Sequence, residues 1–188
     1  MKPEPVSLHT VCGIEELGGH SDRSVAHVLS LLDPGTPEPE AFSGYGGHRR
    51  VTLQFHDIIE PRPGLVAPSE EHVVEILRFG EGVEAGGHLL IHCHMGISRS
   101  TAAMAMLLAQ AQRDADEREI VARLHELRRQ AWPNARMIAM ADRLLGRDGR
   151  LSEAVRRLHA KQLRERPGTE AYMRAVGRAA EVDAALAA

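Results

Sequence analysis

The sequence predicts an α/β protein with a mainly parallel central sheet flanked by helices, and three observations carry that prediction. Strand-like and helix-like stretches alternate along most of the chain. The run HLLIHC at residues 88–93 is almost continuously apolar, as the middle strand of a parallel sheet should be. The run that follows, STAAMAMLLAQAQ, is apolar almost all round, which marks a buried helix. At 188 residues the chain can bury a real core and fits one domain with an appendage.

Each element has its own signal. VSLHTVCG (residues 6–13) reads as a short strand, and VAHVLSLL (25–32) as a stronger one stopped by the turn residues Asp33, Pro34 and Gly35. A Pro/Gly-rich surface loop then leads to RRVTLQF (49–55), where Val51, Leu53 and Phe55 alternate at the strand period. Pro61, Pro63 and Pro68 stiffen the next loop, which ends at Ser69, a good helix N-cap. Glu70 and Glu71 occupy the first turn of that helix, and Gly80 follows its apolar face. Residues 116–130 are amphipathic, with Ile120, Val121, Leu124 and Leu127 inside. Asn134 can cap a further helix that stops at Gly146. The remainder is Ala-rich, weakly amphipathic and interrupted at Pro167-Gly168, so 1–148 is expected to be the catalytic domain and 149–188 an accessory helical extension.

Composition excludes several classes. A net charge of −3 argues against broad nucleic-acid or membrane-surface binding. No apolar run is long enough to cross a bilayer, and the N-terminus carries no secretory h-region. Cys12 and Cys93 form no disulfide framework and suit a reducing cytoplasm. The eleven histidines come without metal-binding spacing, and His92 and His94 alternate across a strand end, so no metal and no cofactor are expected. Of 23 basic residues only Lys2 and Lys161 are lysines, so an arginine signifies something only by its position.

One position does. Cys93 ends the buried strand, and a helix opens at about Ser100. The amides from 94 to 99 therefore lie at a helix N-terminus, where unpaired N–H groups and the macrodipole bind phosphate. Gly96 permits the backbone such a loop needs, and the Arg99 fork can take two phosphate oxygens. The same field favours the thiolate of a cysteine placed there, making it a nucleophile.

The stretch His92-Cys93-His94-Met95-Gly96-Ile97-Ser98-Arg99-Ser100 resembles the His-Cys-x5-Arg-Ser/Thr signature of the cysteine-dependent protein tyrosine phosphatase superfamily, most like its compact dual-specificity branch. The resemblance extends over roughly residues 5–146. It includes VAHVLSLLD and RRQAWPNARMIAMADRLL, although Arg136-Met137 replaces the family's usual Gly-Phe. It implies a phosphocysteine intermediate on Cys93, with Arg99 and Ser100 catalytic and His94, Met95, Gly96, Ile97, Ser98 and Arg99 binding the phosphoryl group. His92 and Asn134 are implied as supporting residues. The family's general acid is an aspartate, and Asp57 is the sole Asp between Asp33 and Asp114; Glu60 is the alternative. Asp57 follows a strand, so it emerges on the same rim as Cys93.

The expected function is a phosphomonoester hydrolase acting on phosphotyrosine, and also on phosphoserine/threonine, in proteins or peptides, with no obligate partner. Alternatives are a phosphoinositide or inositol-phosphate phosphatase, disfavoured by the absence of lysine in the loop, and a phosphate-binding module without turnover. A rhodanese-like or arsenate-reducing enzyme fits the loop length poorly. Cys12 could form a regulatory disulfide with Cys93.

Overall fold

The apolar run after Cys93 sets the architecture, because a helix buried on every side needs apolar partners on every side. The computed structural model describes residues 8–84 and 86–188. Within them the chain runs β1 (Leu8–Gly13), β2 (Val25–Leu32), β3 (Arg49–Gln54), α1 (Glu70–Glu81), β4 (His88–Cys93), α2 (Arg99–Ala111) and α3 (Glu117–Leu127). It continues through α4 (Ala135–Leu144), α5 (Arg150–Glu165), α6 (Thr169–Ala175) and α7 (Ala179–Leu186). Residues 6 and 7, expected to open the first strand, lie outside the described ones. The α/β expectation holds: the four strands form one parallel sheet in the order β1-β4-β2-β3. Cys93 pairs with Gly13 of β1, and Ser30 of β2 pairs with His92. All four strands therefore end on one rim, where a parallel sheet binds ligands.

The two faces of the sheet are covered differently. Val11, Leu29, Leu31, Leu89, Ile91 and Cys93 face the helical side, where α1 to α5 pack around α2. Cys12, Val28 and Leu90 face Leu17 and Phe42, which sit on 3-10 turns at Ile14–His20 and Glu40–Gly44. The Pro/Gly-rich stretch read as a plain surface loop therefore does more than connect: its Phe42 covers this face of the sheet together with Leu17.

Local signals placed the helices well. Ser69 accepts from the His72 amide and caps α1, Asp116 caps α3, and Asn134 caps α4 through the Met137 amide. Gly80 does not end α1 but lies within it. A Cβ there would stand 2.6 Å from Leu107 Cδ2, so the glycine lets α1 approach α2 closely.

The chain beyond Asp148 departs from its expected accessory character. Leu151, Ala154, Val155 and Leu158 of α5 join the same core as the sheet. Met173 of α6 and Val182 of α7 pack with Trp132 in a smaller cluster that Ile97 borders. Leu151, Val155 and Leu158 recur at i, i+4 and i+7, so α5 is amphipathic and its apolar stripe seats it on the core. Arg147, 4% exposed, ties the turn before α5 to the far end of α2: Nη2 donates to the carbonyls of Ala109 (2.6 Å) and Gln112 (2.8 Å). Nη1 donates to Ala115 O and to Glu117. Among the described residues no helix is long and apolar enough to cross a membrane.

Two buried rings make the fold pH-sensitive. His159 stacks on Trp132, with centroids 4.1 Å apart, and donates from Nε2 to Pro133 O. His92 bonds through Nε2 to Ser30 Oγ at 2.6 Å. Burial lowers their pKa to about 3 and about 4. Each ring is neutral when folded and takes up a proton on unfolding once the pH is below about 6.5. Stability is therefore full above that pH and falls as the pH drops toward the folded values. The loss at pH 5 should be roughly 2 kcal/mol for each ring, measurable as a lower urea midpoint than at pH 7.5; equal midpoints would contradict it. Truncation after Asp148 should prevent folding. Leu151, Val155, Leu158, Met173 and Val182 are worth roughly 1.5–3 kcal/mol each, together about the whole margin of a typical domain. A truncated chain with cooperative unfolding would show the tail to be dispensable.

Candidate active site

Between β4 and α2 the chain makes a tight loop, and its carbonyls decide its shape. His94 O accepts from the Ile14 amide at 2.9 Å. Met95 O and Gly96 O accept from the Arg128 guanidinium at 3.1 and 3.0 Å. Ile97 O accepts from the Trp132 amide at 2.8 Å, and Ser98 O from the Ala102 amide at 2.9 Å. In a planar trans peptide C=O and N–H point in opposite directions, so carbonyls bonded outward turn the following amides inward. Gly96 makes the turn at φ +67°, and a Cβ there would lie 2.4 Å from the Cys12 carbonyl carbon. Both the conformation and the space require glycine. The Gly96 amide donates to Cys93 Sγ at 3.2 Å, and Ser100 Oγ lies 3.1 Å from the same sulfur.

The loop's outer brace is itself braced. Arg128 forms a two-pronged pair with Glu16, at 2.8 and 2.7 Å. That guanidinium is the main cause holding the Glu16 carboxyl below its ordinary range.

Arg99 lies 3% exposed at the start of α2. Nη1 donates to Asp33 Oδ1 at 2.7 Å and to Phe55 O, while Nε is buried without a partner. The anchored edge orients the guanidinium and leaves the Nε edge for a ligand. Asp33 is a residue that sequence reasoning missed: it reads as a turn former, yet it stands on the rim at the end of β2. Its amide also donates to His94 Nε2 at 3.2 Å, which fixes the His94 ring beside the rim. Met95 projects outward and is 60% exposed. His92 lies under the loop, pressed against Phe42 and Ser30, and its Nδ1 has no partner.

Asp57 stands where its strand delivers it, in the same 60 Å³ cleft as Cys93 and Arg99. Its loop is closed by a bond from the His56 amide to Val66 O. Oδ1 accepts three bonds: from Ser98 Oγ at 2.7 Å, Asn134 Nδ2 at 2.9 Å and Arg178 Nη1 at 3.1 Å. Asn134 thus caps α4 and also holds the loop that carries Asp57, through Asp57 itself and through Ile58 O. Glu60 is exposed and does not line the cleft. Larger clefts exist, such as one of 620 Å³ lined by residues of α1 and α2, but none of the loop residues reaches it.

Arg178 was also missed. It lies between α6 and α7, 3% exposed, and Nη1 donates to Ser98 Oγ as well as to Asp57. Nη2 donates to Glu181 Oε1 at 2.8 Å. Glu181 accepts in turn from Trp132 Nε1 and the Ala135 amide. In an arginine-rich chain nothing in the local sequence singles out this one. Cys12 is placed against the disulfide idea: it packs on the opposite face of the sheet from Cys93, and burial pushes its thiol up to about 12.

No protein-family model and no curated protein sequence matches the chain, but solved structures do. Human DUSP28 superposes with a TM-score of 0.56 at 15% identity, covering 74% of this chain and 92% of that one. PTPMT1, solved in complex with PI(5)P, gives a TM-score of 0.53 at 14% identity, covering 77% and 92%. DUSP15 gives 0.51 at 18% identity, covering 88% and 95%. At these identities the likeness is one of architecture, and the chain has the α/β fold of the dual-specificity and cysteine-dependent tyrosine phosphatases.

Proposed function

We propose that the chain hydrolyses phosphomonoesters, through a phosphocysteine on Cys93, as a protein tyrosine phosphatase that also accepts phosphoserine and phosphothreonine. The observation that carries this reading is the convergence of inward-turned loop amides, the unpartnered Nε of Arg99 and the Asp57 carboxyl on one cleft around Cys93 Sγ.

The chemistry follows from the placement. The loop amides and Arg99 hold the three non-bridging oxygens, matching the charge of the transition state. The Cys93 thiolate attacks phosphorus as the ester P–O bond breaks, and Asp57 gives its proton to the leaving oxygen. Water then attacks the phosphocysteine while Asp57 takes back a proton. The P–S bond breaks, phosphate departs and the thiolate is restored, with Ser100 Oγ donating to the sulfur as it leaves. No metal or cofactor enters this scheme.

The cleft favours a single phosphoryl group over a polyphosphorylated ring. Arg99 is paired with Asp33, and Arg178 with Asp57 and Glu181, so neither guanidinium is a spare cation for a second phosphate. Phosphorylated proteins or peptides are the proposed substrates. The two free thiols suit the cytoplasm as the proposed location.

Turnover of an aryl phosphate in EDTA tests the class and the independence from metal together. Cys93→Ser should abolish it while vanadate binding survives, because the amides and Arg99 remain; turnover above a hundredth of the parent rate would sink the nucleophile. Asp57→Asn should slow phenyl phosphate by roughly 10²–10⁴-fold and an activated dinitrophenyl ester far less. Uniform slowing of both would move the acid elsewhere, with Glu60→Gln the next variant. Gly96→Ala should behave unlike Cys93→Ser and lose vanadate binding together with turnover, since its Cβ cannot coexist with the Cys12 backbone. Retained binding would mean that the loop shape tolerates a side chain there.

A further inference from the structure

A general acid must do more than sit near the leaving oxygen; the oxygen that carries its proton must face it. Asp57 lies on an irregular loop, where the backbone alone fixes no side-chain direction. The direction comes from Oδ1, which collects the three bonds from Ser98, Asn134 and Arg178, while Oδ2 takes part in none of them.

The third donor differs from the other two. Ser98 belongs to the phosphate-binding loop and Asn134 caps the helix beside it, but Arg178 arrives from 121 residues downstream of Asp57. Its side chain is buried and aligned by Glu181, which is itself 4% exposed and fixed at 2.8 Å to the Ala135 amide and at 2.7 Å to Trp132. Glu181 balances the charge of Arg178, so the bond to Oδ1 does not require a charged Asp57. Arg178 can therefore grip Oδ1 through both halves of a catalytic cycle. A second tie runs alongside, from Arg62 of the acid loop to Gly177 O at 3.4 Å.

We propose that Arg178 is a positioning residue for Asp57. By holding Oδ1 against Ser98 it turns Oδ2 toward the leaving oxygen above Cys93, and so makes the α6–α7 segment part of the active centre. This role rests on the phosphatase reading above and adds to it a residue outside the span of the signature.

The test compares phenyl phosphate, whose leaving oxygen needs a proton, with 2,4-dinitrophenyl phosphate, whose leaving oxygen does not. Arg178→Met should lower kcat on phenyl phosphate by roughly 10–100-fold, part of the full effect of a general acid, and cost the activated ester only a few-fold. Arg178→Lys keeps the charge but reaches one carboxylate rather than two, and should show a smaller loss with the same selectivity. On phenyl phosphate the double variant Asp57→Asn/Arg178→Met should be no slower than Asp57→Asn alone, because residues acting through one group are not additive. Equal losses on the two esters, or additive losses in the double variant, would overturn the role and leave Arg178 as a structural ion pair. If the Met variant does not fold, the Lys variant decides by the same comparison. Absence of any Cys93-dependent turnover in the parent would overturn the phosphatase reading itself, and this role with it.

Discussion

The site depends on five carbonyls that must all face away from it. Residues 94 to 98 can present converging amides to an anion because each intervening C=O finds a partner outside: Ile14, Arg128 twice, Trp132 and Ala102. A buried carbonyl left without a partner costs about 1–3 kcal/mol, so losing the Ile14 amide from His94 O or Arg128 from Gly96 O would favour a rotated peptide and an amide turned the wrong way. Ile97 O and Ser98 O, by contrast, each have Thr101 Oγ1 as a further donor. The partners come from the 3-10 turn just after β1, from the residues after α3 and from α2 itself. Much of the fold can be read as the means of bringing them to one rim. Strand β1 ends beneath the loop, and its Gly13 leaves room for the His94 carbonyl. Glu16 follows within a turn to steady Arg128.

The Asp57 side of the cleft is organised differently, by charge rather than by backbone. Asp57, Arg178 and Glu181 form a chain of two carboxylates about one guanidinium, largely out of water. Buried ion pairs add little net stability when whole but are costly to break, since removing one partner strands the other. Such a chain is better suited to fixing geometry than to holding the protein together. The apolar contacts of Met173 and Val182 with Trp132 supply the cohesion that the charges do not. Tail, acid and loop thus meet at Trp132, whose amide bonds Ile97 O and whose indole bonds Glu181.

Sequence made the Cys93 side of the cleft readable because its residues are local. Cys93, Gly96 and Arg99 lie within one strand-to-helix junction, and strand and helix each announced themselves by apolar pattern. Asp57 was readable one step further, through the rule that parallel strands end on a common rim. Asp33, Arg128 and Arg178 were not, for the same physical reason in each case. Their partners lie 66, 32 and 121 residues away, respectively, at Arg99, Gly96 and Asp57. No periodicity encodes such distances, and in an arginine-rich chain residue type carries no signal. The tail misled for another reason: α5 carries an apolar stripe of Leu151, Val155 and Leu158, but a stripe alone does not say which core it packs on.

Helix α2 has unequal ends. At its C-terminal end the buried Arg147 guanidinium reaches the Ala109 and Gln112 carbonyls, so the negative pole carries a permanent countercharge. At its N-terminal end the chain supplies the Cys93 sulfur, which the Gly96 amide contacts, beside a cleft that on the proposed reading takes an anion from solution. Capture of an anion there would link its binding to folding. Any anion that binds only the folded loop adds RT ln(1 + [L]/Kd) to the free energy of unfolding, about 2.7 kcal/mol at a hundredfold excess over Kd. On the proposed reading the stability of the chain would follow the anion content of its surroundings, with inorganic phosphate completing the N-terminal end of the helix.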